Sequence, residues 1–63
     1  MTNAQQAIDD SISQNRIVHI DEPTQEDLDC LMVESDDSVE NGPVTEYWGR
    51  DEDSNDWRVH VAR

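Results

Sequence analysis

Lysine and phenylalanine are absent from this 63-residue chain, cysteine occurs once, and glycine and proline occur twice each. Each scarcity excludes something. A single thiol, Cys30, forbids an internal disulfide and any paired-cysteine zinc knuckle. Two glycines, Gly42 and Gly49, cannot build a glycine-rich phosphate loop. With no lysine, the only cations are Arg16, Arg50, Arg58 and Arg63. That is too few for the basic face a phosphate backbone demands, so direct nucleic-acid binding is not expected. Apolar residues make up 33% of the chain. No stretch approaches the roughly 20 apolar residues of a membrane span. The opening MTNAQQAIDD has neither a basic start nor an apolar run, which predicts a cytoplasmic protein without a secretory signal.

Acid fills the space these residues leave. Sixteen aspartates and glutamates set the net charge at −12, with a mean hydropathy of −0.94. They run from Asp9 to Asp56 rather than forming one tail, which predicts a surface coated with carboxylate. Aspartate excess, missing lysine and few large apolar residues resemble the cytosolic proteins of salt-in halophiles, the haloarchaea in particular. That compositional resemblance implies an environment of molar salt, where like-charge repulsion is screened, and no particular activity. High charge with low hydropathy is also the composition of disordered chains. A third reading is an acidic decoy occupying a basic nucleic-acid site on another protein.

Sixty-three residues predict a single small domain spanning 1–63. Such a chain buries only about 60% of its unfolded surface. Without a disulfide, self-association into a homodimer is the natural support.

Thr2 opens T-x-x-Q, a capping box. Ala4, Ile8 and Ile12 follow at helical spacing, which predicts a helix to about Gln14 and a left-handed turn at Asn15. The run RIVHI (16–20) predicts a short strand. Thr24 with Asp27 predicts a second helix, with Leu28, Leu31, Met32 and Ser35 on one face and Cys30 roughly opposite. The run CLMVE also suits a strand; the cap and spacing favour helix. Val39 keeps the helical spacing, so the helix extends or restarts before Asn41-Gly42-Pro43 stops it.

The segments VTEYWG (44–49) and WRVHV (57–61) flank a polar turn and predict a β-hairpin. With Trp48 opposite Trp57, one face holds Val44, Trp48, Trp57, Val59 and Val61, and Glu46 falls on that apolar face. The fold expected is α+β in the order α-β-α-β-β: a mainly antiparallel three-stranded sheet of order 1-3-2 with two helices on one face. The predicted core is Ile8, Ile12, Val18, Ile20, Leu28, Leu31, Met32, Trp48, Trp57, Val59 and Val61.

Chemistry-bearing motifs are weak. Asp51, Asp53 and Asn55 match the opening of a calcium loop, but Asp56 stands where glycine is needed and Ala62 where glutamate is needed. His19, Cys30 and His60 lack metal-ligand spacing. No serine or cysteine sits in a nucleophile elbow. No catalytic residue, cofactor or metal site is therefore assigned. The candidate interface is the uncovered sheet face: Ile17, His19, Thr45, Tyr47, Arg58 and His60. Tyrosine and arginine are enriched in binding hot spots. The expected role is a small accessory or interaction protein, self-associating or meeting an unidentified protein partner. The alternatives are the acidic decoy and an enzyme whose site forms at a dimer interface through His19 or His60.

Overall fold

A computed structural model describes residues 3–62. The elements are α1 (Ala4–Gln14), β1 (Val18–Ile20), α2 (Gln25–Glu34), β2 (Asp37–Asn41), β3 (Val44–Arg50) and β4 (Asp56–Ala62). The class is α+β, with a four-stranded mixed sheet of order β1-β4-β3-β2.

The helix α1 starts at Asn3, whose side chain accepts the Gln6 N–H at 2.8 Å. The cap expected at Thr2 lies outside the described residues. Asn15 ends the helix in the left-handed conformation (φ 51°, ψ 51°) and donates its N–H to Ser11, as expected of an asparagine at this position. Ala4, Ala7 and Ile8 are buried and Ile12 packs against them. The small alanines let the helix approach the sheet closely.

The helix α2 has the capping box expected of Thr24 and Asp27, with reciprocal bonds of 3.2 Å and 3.0 Å. Asp27 does more than cap its own helix. Its other carboxylate oxygen accepts the Ala4 N–H at 2.9 Å, so one buried side chain holds the first turns of both helices. Those N–H groups hold its carboxyl below the usual aspartate range, against the opposing effect of burial. The residues 30–34 are helical. Leu31 is fully buried and Leu28 partly so, but Met32 is 68% exposed and leaves the core expected for it. The α2 axis brings only one apolar ridge to the sheet.

Two expectations are corrected. Residues 37–41, read as helix, form the edge strand β2. Asn41 pairs with Val44 across a two-residue turn in which Gly42 takes φ +66°, a conformation glycine adopts without a Cβ penalty. This added strand also reverses the direction of the first pairing. In the meander β2-β3-β4 direction alternates, so β2 and β4 run the same way. The return through α2 sets β1 along β2, and β1 therefore pairs with β4 in parallel rather than antiparallel, Val18 with Val59 and Ile20 with Val61.

The second correction is register. Gly49, not Trp48, lies opposite Trp57, and Tyr47 lies opposite Val59. Trp57 is 2% exposed. A Cβ at Gly49 would meet the Trp57 ring at 3.1 Å and the Glu34 carbonyl at 3.1 Å. The indole thus occupies the space that glycine leaves beneath the end of α2. The slip of one residue turns every β3 side chain to the other face. Thr45 and Tyr47 go inward, while Glu46 and Trp48 go outward. Trp48 is therefore not a core residue.

The core is one cluster on one side of the sheet: Ala4, Ala7, Ile8, Val18, Ile20, Leu31, Trp57, Val59 and Val61. Each fully buried valine or leucine there contributes about 1.5–3 kcal/mol. The Arg58 N–H lies just beyond the end of β1 and is accepted by the buried Ser11 hydroxyl at 2.9 Å, which ties α1 to β4.

Trp57→Ala is expected to lower stability by about 3–5 kcal/mol in denaturant titrations, the range for a buried aromatic truncated to alanine. Asp27→Asn is expected to lower it by about 2 kcal/mol at neutral pH, since a charged acceptor bridging two helix starts is lost. Because folding lowers the Asp27 pKa, its contribution is fully present above about pH 4 and is lost as pH falls through the folded value. The gap between native chain and variant should close on acidification; a gap that stays constant to pH 2 contradicts the assignment.

Candidate functional site

Both helices cover the same face of the sheet, so the opposite face is open. Cross-strand register places its residues in rows. One row runs His19, His60, Glu46, Val39; the next runs Arg58, Trp48, Asp37. The strands supply this face by simple alternation. In β4 the buried residues Trp57, Val59 and Val61 alternate with Arg58 and His60 outside.

The first row is linked. His60 donates its Nε2–H to Glu46 Oε2 at 2.6 Å, with side chains 23% and 27% exposed. A carboxylate only accepts, which fixes the donating nitrogen. The His19 ring meets the His60 ring edge-on at 5.1 Å between centroids and 81° between planes. In the second row Trp48 is half-buried and Arg58 exposed. Among the described residues the Arg58 guanidinium has no carboxylate within ion-pair distance, whereas Arg50 pairs with Asp56 at 3.0 Å near the hairpin loop. That pair is largely solvated and contributes little to stability.

Of the six residues expected to share the open face, His19, Arg58 and His60 lie on it, and Ile17 adjoins it just before β1 at 36% exposure. Thr45 and Tyr47 do not: the register carries them to the helix side. Their places are taken by Glu46 and Trp48. Glu46 was itself the available signal. A register that buries its charge beside valine and tryptophan costs several kcal/mol, whereas the adopted one gives it His60.

The face differs in charge from the rest of the molecule. The outward strand residues include three of the sixteen acids (Asp37, Glu46, Asp56), two of the four arginines and both histidines. Of the remaining acids, Asp27 is buried, Glu40 lies on the helix side of β2, and the others are on the helices and loops.

A histidine oriented by a glutamate has the form of an acid–base pair. No serine, threonine or cysteine accompanies it among the outward strand residues, so the row holds no nucleophile to activate. Cys30 lies in α2 across the sheet. Burial, and then Glu34 and Asp27, push its thiol above the usual cysteine range, away from the nucleophilic thiolate form. Among the described residues no three His, Cys, Asp or Glu side chains are grouped to hold a metal ion. Asp51 of the D-x-D-x-N segment instead accepts the N–H groups of Asp53 and Asn55 at 2.9 Å and 2.8 Å and the Asn55 side-chain amide at 3.1 Å. These bonds, that from Asn55 foremost, lower its pKa and shape the loop. Among the described residues no helix is long and apolar enough to cross a membrane.

No protein family, curated protein or solved structure matches the chain.

The two tryptophans report on the faces separately. In Trp48→Phe the remaining indole, Trp57, should emit at short wavelength and resist quenching by acrylamide. In Trp57→Phe the remaining Trp48 should emit further to the red and be quenched readily. Two equally protected indoles, both emitting at short wavelength, would restore the Trp48–Trp57 register.

Proposed function

We propose that this chain is a small interaction module of a salt-rich cytosol and that it pairs with a second copy through the open sheet face. The observation that carries the reading is a half-buried tryptophan, two histidines and an arginine gathered on the least acidic surface of a −12 chain. Two such chains repel wherever their acids meet. Only a face nearly neutral in itself brings them together without a large electrostatic cost. A two-fold contact uses that patch twice, and sheets pack face to face at about 10 Å.

Size sets the strength. Four strands of up to about seven residues span roughly 20 Å by 20 Å. That is about 400 Å² of plan area, below the roughly 800 Å² per partner of a standard interface. The dimer is accordingly weak and exchanging, as suits a regulatory or accessory subunit. The spread of acids over helices, loops and the β2 edge suits a solvating coat better than a decoy, which needs its carboxylates in one phosphate-like row.

The Cα radius of gyration is 10.4 Å, and the Debye length is about 8 Å at 0.15 M salt against about 3 Å at 1 M. Folding should therefore strengthen with salt. Circular dichroism and tryptophan emission from 0.05 M to 3 M potassium chloride are expected to show a rising midpoint of unfolding; equal stability at both ends removes the halophilic part of the proposal.

Sedimentation in 2 M potassium chloride tests the contact. The native chain should dimerise at high micromolar concentration, and Trp48→Asp should remain monomeric with its fold intact, because Trp48 lies outside the core. A monomeric native chain at that concentration excludes the dimer. A dimer untouched by Trp48→Asp moves it off this face.

A further inference from the structure

On the helix side, away from the open face, a groove of about 330 Å³ lies between α2 and the inner residues of β3 and β4. Leu28, Met32 and Val61 line it together with the polar residues Gln25, Thr45 and Tyr47. Among the described residues none that lines it is charged, in a chain where sixteen of 63 residues are acidic. A second observation stands beside the groove. Thr45 is 6% exposed, and its Oγ1 is buried without a hydrogen-bond partner among the described residues. Buried hydroxyls are ordinarily satisfied, and leaving one unmade is unfavourable. Valine would fill the same space with no such penalty.

We propose that this groove binds a small uncharged molecule with an apolar body and one hydrogen-bonding group, and that Thr45 Oγ1 is the partner of that group. The volume is at the lower end of small-ligand pockets, and apolar walls with a few convergent polar groups are their usual lining. No cationic side chain lines the groove among the described residues, which disfavours a carboxylate or phosphate ligand, and the −12 chain would also repel one. Met32, 68% exposed at the rim, is the unbranched and adaptable side chain suited to closing over such a guest.

The test uses three probes of one ring size: p-cresol, toluene and the anion p-toluate. Each is titrated into the native chain and Thr45→Val in 2 M potassium chloride and followed by amide chemical shifts. p-Cresol should shift Leu28, Thr45, Tyr47 and Val61 saturably, with a dissociation constant on the order of millimolar, as expected of so small a ligand. p-Toluate should leave them unmoved. Thr45→Val should weaken p-cresol about fivefold, the value of one hydrogen bond, while toluene binds as before and the midpoint of unfolding stays level or rises. Equal p-cresol binding by both chains, or no saturable shift, overturns the proposal. Shifts at the same residues that track protein concentration without probe assign the groove to a second copy and overturn it as well. Because the groove and Trp48 lie on opposite sides of the sheet, Trp48→Asp should bind p-cresol unchanged, so this outcome is independent of the dimer.

Discussion

One carboxylate holds the helical layer together. Asp27 receives the Thr24 N–H with one oxygen and, with the other, the N–H of Ala4, 23 positions before it in the sequence. Each helix start leaves N–H groups without intrahelical partners and carries partial positive charge. Bringing two such ends together would be unfavourable without an anion between them. Asp27 supplies it, and the buried contact fixes how α1 lies against α2. The core follows from that placement. Ala4 and Ala7 reach the sheet only because α1 begins where Asp27 anchors it. Leu31, one turn beyond Asp27 on the same face, joins the same buried cluster as Val59 and Val61.

A single apolar side is all this composition can fill. Nine buried apolar residues form one cluster, and a second helix layer across the sheet would need as many again. The outer face stays open because the chain has nothing left to cover it. Its side chains nevertheless satisfy one another: Glu46 with His60, His60 against His19, Arg50 with Asp56. These contacts keep the face from being acidic in a chain that is acidic almost everywhere else. The route from composition to an open face thus runs through topology: too little apolar material leaves one side of the sheet bare.

Local signals were legible in the sequence and long-range ones were not. The span of α1 to Gln14, the left-handed Asn15 and the Thr24–Asp27 box depend on residues within a few positions of each other, and all three are present. So is the hairpin of the last twenty residues. The failures share one cause. Val39 fits a helical period and an exposed strand alike; the Asn41-Gly42 pair, a strong hairpin signal, was read only as a stop. Missing that strand inverted the direction assigned to β1, because parity in a meander is set by counting strands. The register error came from matching tryptophan to tryptophan by likeness. What decides it is space, since Trp57 needs Gly49 beneath it, and charge, since Glu46 needs His60. Neither partner is near in sequence. That one slip moved Thr45 and Tyr47 off the candidate face and brought Glu46 and Trp48 onto it. The Asp27–Ala4 bond, between residues that no periodicity connects, had no sequence signal at all.

The sixteen acids do not all serve the solvent. Asp27 joins the helices, Asp51 organises the hairpin loop by accepting N–H groups from Asp53 and Asn55, and Glu46 accepts the His60 Nε2–H at the centre of the sheet. The short aspartate side chain suits the first two tasks, because it reaches backbone N–H groups two to four residues away as glutamate does less well. The excess of aspartate over glutamate is therefore partly architectural as well as environmental. The other exposed acids, on α1, α2 and the loops, repel any second acidic surface that approaches from those directions. Among the described residues the coat is interrupted at two places. One is the flat outer face, broad enough for a protein; the other is the uncharged groove under α2, wide enough only for a small guest. On the proposals of a self-paired outer face and a guest in the groove, the carboxylates would thereby set where, and at what scale, the chain binds.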